Sequence, residues 1–336
     1  MILVTGGTGL VGAHLLLELL KKEENIFALK RPSSDLNITK RIFSYYTDDF
    51  QNIFDKINWI DGDILDYQSI IYALKDITKV YHCAAAVSFQ SSDKQTISDT
   101  NRLGTANLVN ACLETGIEKM LHVSSIGALG RAGITGIVNE DSQWNSKKTS
   151  VYSTSKYHAE MEVWRGIAEG LNAVIVNPSI IIGPADWSKG SAKLFDTMYH
   201  GLKFYTRGSN GFVDVEDVVK LMIIIMESDI SAERFIINAE NVPYKQFFSS
   251  MAKALNVKPP QIEAKRFLSE IAWRAFWVKS LFTGKQSSIT KETAETANQT
   301  YQYSNKKVVD ATSYKFMSIE DSIKKTAAFY LKDLNN

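Results

Sequence analysis

The chain opens on a short apolar run, Ile2-Leu3-Val4-Thr5, which passes directly into Gly6-Gly7-Thr8-Gly9-Leu10-Val11-Gly12 and then into a leucine-rich segment. Few local patterns restrict a fold more. A strand, a glycine turn and a helix in succession bring backbone N–H groups and the positive end of a helix dipole to one point, which is an anion site. Glycine supplies the positive backbone angles of the tight turn and lets the main chain approach a pyrophosphate. Gly6, Thr8, Gly9, Leu10, Val11 and Gly12 are therefore expected to hold a dinucleotide. The rival, a glycine-rich turn that binds nothing, fits poorly with a position on the first strand of an alternating chain.

That alternation is plain. Apolar runs at 2–5, 26–29, 57–60, 79–83, 120–124 and 173–178 are separated by segments at 10–21, 68–74, 96–115 and 151–169 with apolar residues at helical spacing. Such a chain builds an α/β parallel sheet with helices on both faces. After Gly183-Pro184 the stretches become longer and more aromatic. Residues 1–184 thus read as the dinucleotide-binding domain, with 213–230 returning to it. Residues 185–212 and 231–336 read as a smaller, mainly helical substrate-binding lobe, with a cleft between the two parts.

The 38 basic and 37 acidic side chains leave a net charge of +1, too weak a field to draw in nucleic acid or an anionic membrane. Cys83 and Cys112 are isolated thiols, and the histidines are scattered without ligand spacing. The reading therefore holds no metal and favours a reducing, cytoplasmic setting. A strand starting at Ile2 leaves no room for a targeting peptide, and no run approaches the ~18 apolar residues of a spanning helix. Residues 267–282, with Phe267, Trp273, Trp277 and Phe282 interrupted by Glu270, Arg274 and Lys279, are amphipathic. A helix covering an apolar cleft is preferred over one resting on a membrane.

Cofactor choice should be written at the end of the second strand. NAD sites usually carry an acid there, roughly 20 residues on, to bind the ribose 2′-hydroxyl. This chain has Ala28-Leu29-Lys30-Arg31-Pro32-Ser33-Ser34, without an acid and with two cations. A 2′-phosphate would be met by Arg31, supported by Lys30 or the Ser33 hydroxyl, so NADP(H) is expected over NAD. Solvated loop charges are the alternative. Asp63, beside Ile64 after the third strand, is placed to accept from an adenine amino group.

Tyr152 and Lys156 stand four apart, on one face of a helix. An ammonium nearby stabilises a phenolate and should lower the tyrosine pKa from about 10. A phenol so tuned exchanges a proton with a carbonyl or alcohol as hydride moves. The spacing alone says little, because Tyr199 with Lys203 and Tyr303 with Lys307 share it. What separates Tyr152 is its helix, which follows the fifth strand. That strand ends in Ser124-Ser125, and a hydroxyl at a strand's carboxyl end faces the ligand crevice. Ser125 is the preferred donor to a substrate carbonyl, with Ser124 its competitor.

Together, the glycine turn, Ser124-Ser125 and Tyr152 with Lys156 resemble the extended short-chain dehydrogenase/reductases, the NAD-dependent epimerase/dehydratase superfamily. His82-Cys83-Ala84-Ala85, Asn101-Arg102-Leu103-Gly104-Thr105-Ala106-Asn107, Asn177-Pro178-Ser179-Ile180-Ile181-Ile182-Gly183-Pro184 and Phe212-Val213-Asp214-Val215-Glu216-Asp217-Val218 are similar to further motifs of that family. The resemblance implies a two-lobed Rossmann fold, a doubly wound parallel sheet, and often a dimer through the helices bearing Asn101 and Tyr152. It implies Tyr152 as general acid/base and Lys156 as ribose ligand and tuner of Tyr152. Ser125 would orient the carbonyl, and Asn101 would organise a relay water. Ala84, Ala85, Pro178, Ser179 and Ile181 would lie along the cofactor.

Within the family, Ile126-Gly127 stands where sugar-nucleotide dehydratases carry an Asp-Glu pair. The basic cofactor strand argues against an NAD-holding epimerase. Arg31-Pro32-Ser33-Ser34 and 235–241 look more like dihydroflavonol-reductase-like and hydroxysteroid-dehydrogenase-like members. The aromatics Trp187, Phe204, Tyr205, Trp273 and Trp277 would suit an apolar carbonyl or alcohol substrate, or else form core. A nucleotide-sugar epimerase and a non-catalytic NADP-sensing module are the rival readings.

Overall fold

Ile2–Thr5 (β1) lies inside a seven-stranded parallel sheet made with Ile26–Lys30 (β2), Asn58–Asp61 (β3), Lys79–His82 (β4), Lys119–Val123 (β5), Ala173–Pro178 (β6) and a late strand introduced below. The computed structural model describes residues 1–22, 25–87, 93–130, 136–145, 149–264 and 298–335. The amphipathic stretch 267–282, with Trp273 and Trp277, lies outside them.

Ile180–Ile182 (β7), Ser209–Asp214 (β8), Glu233–Ile237 (β9) and Glu240–Pro243 (β10) complete the longer strands. The main sheet runs β9-β6-β5-β4-β1-β2-β3, and β10-β8-β7 form a second, mixed sheet of three. The strand from 233–237 corrects the sequence reading, which gave all of 231–336 to the second lobe. It pairs in parallel with β6, Phe235 opposite Val176 and Ile237 opposite Pro178.

The main strands are apolar on both faces, so they read as continuous runs instead of alternating. Ile2, Val4, Ile26 and Ala28 point to one face, where they meet Leu10–Leu19 (α1) and Val215–Glu227. Leu3, Leu29, Met120 and Ile175 point to the other, where Leu108, Val109 and Val163 cover them. A separate core of Ile182, Phe195, Phe212, Phe247, Met251, Ile323 and Tyr330 fills the second lobe.

The single helix read at 96–115 is broken. Lys94–Ser98 leads into a π turn, Asp99–Leu103, before Gly104–Thr115 (α2) resumes. A Cβ on Gly104 would meet Ile64 Cδ1 at 2.5 Å, so glycine here lets the helix close onto the turn after β3. The helix carrying Tyr152 and Lys156 is Val151–Ala168 (α3), started by Ser150, whose Oγ accepts from the Ser153 N–H at 2.7 Å. Among the described residues no helix is long and apolar enough to cross a membrane.

Candidate active site

Strand order reverses between β1 and β4, and in open α/β sheets the crevice at the strands' carboxyl ends opens at such a point. The glycine turn forms one wall. Gly6 has φ +73°, and a Cβ there would fall 2.6 Å from the Ala84 nitrogen. A Cβ on Gly12 would fall 2.2 Å from the Gly6 carbonyl oxygen. Gly9 is the N-cap of α1, and no side chain caps the helix. Gly9 is exposed, and Thr8, Leu10 and Val11 are half-buried. Uncapped amides at an open helix N-terminus, reached by side-chain-free main chain, fit the pyrophosphate of a dinucleotide.

The second strand ends less simply than its sequence implied. Lys30 and Asp61 are opposite each other in the β2–β3 register, and Lys30 Nζ donates to the Asp61 carboxylate. Arg31 and Ser33 are exposed on the following turn. Lys30 is thus neutralised locally, and the acid missing from β2 is supplied opposite it by β3. Asp63 is half-buried; its Oδ1 accepts from the Leu65 N–H at 2.9 Å, and Ile64 is buried beside it. Ala84 is half-buried and Ala85 exposed. Pro178 and Ser179 are buried, with Ser179 Oγ donating to the Ile237 carbonyl at 3.3 Å. Ile181 is half-buried and pairs with Val213.

Ser125, Tyr152 and Lys156 converge where β5 meets the start of α3. Ser125 Oγ accepts from the Gly127 N–H at 3.0 Å, and the Ser125 side chain hydrogen-bonds Tyr152. Ser124 points elsewhere: its Oγ, buried, donates to Glu160 at 2.7 Å. The two serines at the strand end are thereby sorted by geometry. The other Tyr/Lys pairs share no helix. The helix Lys193–Tyr199 stops before Lys203, and Tyr303 lies in a short strand ahead of Lys307.

The electrostatics correct one expectation. Burial raises the Tyr152 phenol above its ordinary value, and the Ser125 hydrogen bond opposes that rise in part. Lys156 Nζ donates to the Val123 carbonyl at 2.7 Å. Burial also lowers the Lys156 ammonium to about 8, against the attraction of Glu160 and, more weakly, of Cys83. In this arrangement Tyr152 is a protonated phenol and Lys156 a cation near neutral pH.

Asn101 lies on the π turn, buried. Its Oδ1 accepts from the Ala86 N–H at 2.7 Å, while its Nδ2 donates to the Ala86 carbonyl at 3.0 Å and to Ser155 Oγ at 2.9 Å. The Asn101 side chain also clamps the loop after β4 to α3. His82 bridges Thr5 Oγ1 at 2.8 Å and Thr105 Oγ1 at 2.9 Å, and Thr105 donates to the Asn101 carbonyl at 2.6 Å. One chain of hydrogen bonds therefore joins the strand before the glycine turn to the π turn. Among the described residues no cluster of three or more His, Cys, Asp or Glu could hold a metal.

Glu160 and Arg234 were not singled out in the sequence, and Asn177 only as the start of a motif. Glu160 is wholly buried and accepts from Ser124, from Asn177 Nδ2 at 2.8 Å and from Arg234 Nη1 at 2.8 Å. One signal was available: Tyr152, Lys156 and Glu160 are evenly spaced by four and share a helix face.

The family model described as "NAD dependent epimerase/dehydratase family" matches residues 2–238. Sterol demethylase protein B of Methylococcus capsulatus is 29% identical over 265 residues, 77% of this chain and 76% of that protein. A Synechocystis sp. protein named for dihydroflavonol 4-reductase is 28% identical over 265 residues, 77% of this chain and 73% of its own length. The crystal structure of gox2253 superposes with a TM-score of 0.82 at 27% identity, covering 99% of this chain and 98% of that one. With the glycine turn, the parallel sheet and the Ser125–Tyr152–Lys156 corner in place, the chain belongs to the NAD-dependent epimerase/dehydratase family, the extended short-chain dehydrogenase/reductases.

Proposed function

We propose that this protein is an NADP(H)-dependent carbonyl reductase, or the matching alcohol dehydrogenase, with Tyr152 as general acid/base. The observation that carries the reading is the corner itself: a protonated phenol hydrogen-bonded to Ser125, one helical turn from a buried ammonium. A phenol held protonated at neutral pH is poised to donate to a carbonyl oxygen. Ser125 offers that oxygen a second donor, and the positive Lys156 offsets negative charge as it develops on Tyr152. Bound at the glycine turn, the nicotinamide dinucleotide supplies the hydride. Arg31 would meet its 2′-phosphate, while Gly6, Gly9 and the α1 amides would hold the pyrophosphate. The second lobe shapes the substrate pocket. Relatives named for sterol and dihydroflavonol chemistry support an apolar polycyclic ketone or alcohol as substrate.

The test is loss of NADPH absorbance across steroid ketones, flavonoid ketones, simple aldehydes and nucleotide sugars, for the wild-type chain and Tyr152→Phe. Turnover with an apolar ketone that Tyr152→Phe abolishes is the expected result. Nucleotide-sugar interconversion without net NADPH consumption would replace this reading with an epimerase. Undiminished activity in Tyr152→Phe would remove Tyr152 from the mechanism.

A further inference from the structure

Behind the serine–tyrosine–lysine corner lies a charged network that the proposed chemistry does not use. Glu160, 0% exposed, accepts four hydrogen bonds: from Ser124 Oγ at 2.7 Å, Asn177 Nδ2 at 2.8 Å, Arg234 Nη1 at 2.8 Å and Trp164 Nε1 at 3.3 Å. Arg234 comes from β9, the strand the sequence did not disclose. Its Nε donates to the Glu140 carbonyl at 2.9 Å, and the Glu140 side chain accepts from the Ile236 N–H at 2.9 Å. Asn177 Nδ2 also donates to the Ser125 carbonyl at 3.0 Å. Three main-sheet strands, β5, β6 and β9, thus meet one carboxylate on the helix that bears Tyr152 and Lys156.

A buried carboxylate is costly unless paired, and this one has a guanidinium and three neutral donors. We propose that Glu160 is a positioning residue: its carboxylate fixes the Ser124-Ser125 corner against α3 and faces Lys156 as its counter-charge on the same helix. This rests on the proposed roles of Tyr152 and Lys156. Glu160 touches neither Ser125 nor Tyr152; it acts on Ser125 through Asn177 and Ser124, and on Lys156 through charge.

The groups that face Lys156 are Glu160 on its own helix, Cys83 after β4, and His82 and His122 on β4 and β5. Burial keeps the two imidazoles neutral and the thiol protonated near neutral pH. Glu160 is therefore the charge that sustains the ammonium. Removing it moves the Lys156 titration downward from about 8. Activity that needs the ammonium is lost as pH rises, so the alkaline limb moves to lower pH.

The test compares Glu160→Gln with wild type in three measurements: the pH profile of kcat/KM for NADPH-dependent ketone reduction, the pH dependence of NADPH affinity, and thermal melting. The expected outcome is an alkaline limb displaced downward by about one pH unit and kcat at neutral pH lower by about 10- to 100-fold, with KM for the ketone changed less than about threefold. A lower Tm with an unchanged profile per folded molecule would overturn the proposal in favour of a purely structural role. Should Glu160→Gln not fold, Ser124→Ala removes one ligand of the carboxylate without stranding a charge. Several-fold lower kcat at constant KM is expected, and wild-type kcat would overturn the role. If the wild-type chain reduces no carbonyl with NADPH, the proposed reaction fails. The pH dependence of NADPH affinity then decides on Glu160 alone, an unshifted dependence counting against it.

Discussion

Tyr152 and Arg31 are the side chains on which the reading turns, and each can be removed without disturbing much else. Tyr152→Phe deletes one hydroxyl and keeps the ring that packs at the start of α3. A general acid contributes about a hundred- to ten-thousand-fold, so kcat should fall by that order while NADPH affinity stays unchanged. Steady-state kinetics beside a fluorescence titration separate the two. Arg31→Ala should weaken NADPH by about 10- to 100-fold, the worth of a charge-assisted phosphate contact, and leave NADH untouched. Lys30→Ala is the instructive control, because Lys30 is already paired with Asp61 across the strand ends. Parallel titrations with both cofactors should show less than about a threefold change for it. A large loss of NADPH affinity in Lys30→Ala would mean that the pair opens to receive the phosphate.

Among the elements, the turn and first turn of α1 work as one rigid piece. Gly12→Ala would press a methyl against the Gly6 carbonyl, and no side-chain rotation relieves a clash between backbone and Cβ. The turn must open, at about 1–3 kcal/mol of stability, and NADPH binding should weaken with it. Melting temperature and titration on the same preparation would check both. This element was legible from the sequence because glycine spacing encodes backbone geometry directly. β1 to β6 were equally legible, since strands buried on both faces leave apolar runs between helical periods. β9 was not. Phe235-Ile236-Ile237 is as apolar as any other main-sheet strand, but it arrives after two strands of the second sheet, and nothing local says which sheet it joins. The π turn at Asn101 escaped for a similar reason: Gly104 looks tolerable within a helix until Ile64 is seen pressed against it. Tyr152, Lys156 and Ser125 could be picked out by position in the alternation. The direction of the Tyr152 shift could not, because it depends on burial that only packing creates.

The molecule as a whole keeps three histidines neutral inside it, and this sets how its stability must respond to acid. His14, on α1, bonds the Leu10 carbonyl and the Tyr46 hydroxyl, and burial lowers it to about 4. Burial lowers His82 to about 3, and His122 falls well below the ordinary value. Both ring nitrogens of His122 are buried without a hydrogen-bond partner among the described residues, so charging it inside the sheet would be especially costly. In the unfolded chain all three bind protons below about 6.5, while the folded chain leaves them bare. Unfolding therefore takes up protons, and stability, full above that pH, falls as pH drops toward the folded values. Asp214 works against this trend. Burial raises it to about 6, above its unfolded value of 3.8, so its contribution is complete below 3.8 and is lost as pH rises through about 6. Between pH ~6 and ~5 three histidines oppose Asp214 and Asp217, which burial also raises, leaving a net slope of about 2 kcal/mol per pH unit. Urea unfolding midpoints from about pH 8 to about pH 5, at fixed ionic strength, should be nearly flat at first and then drop steeply. His14→Asn, which spares the sheet, should remove about half of that slope. An unchanged midpoint down to pH ~5 would mean that the buried imidazoles accept protons in place, and that the interior around β4 and β5 is wetter than its packing indicates.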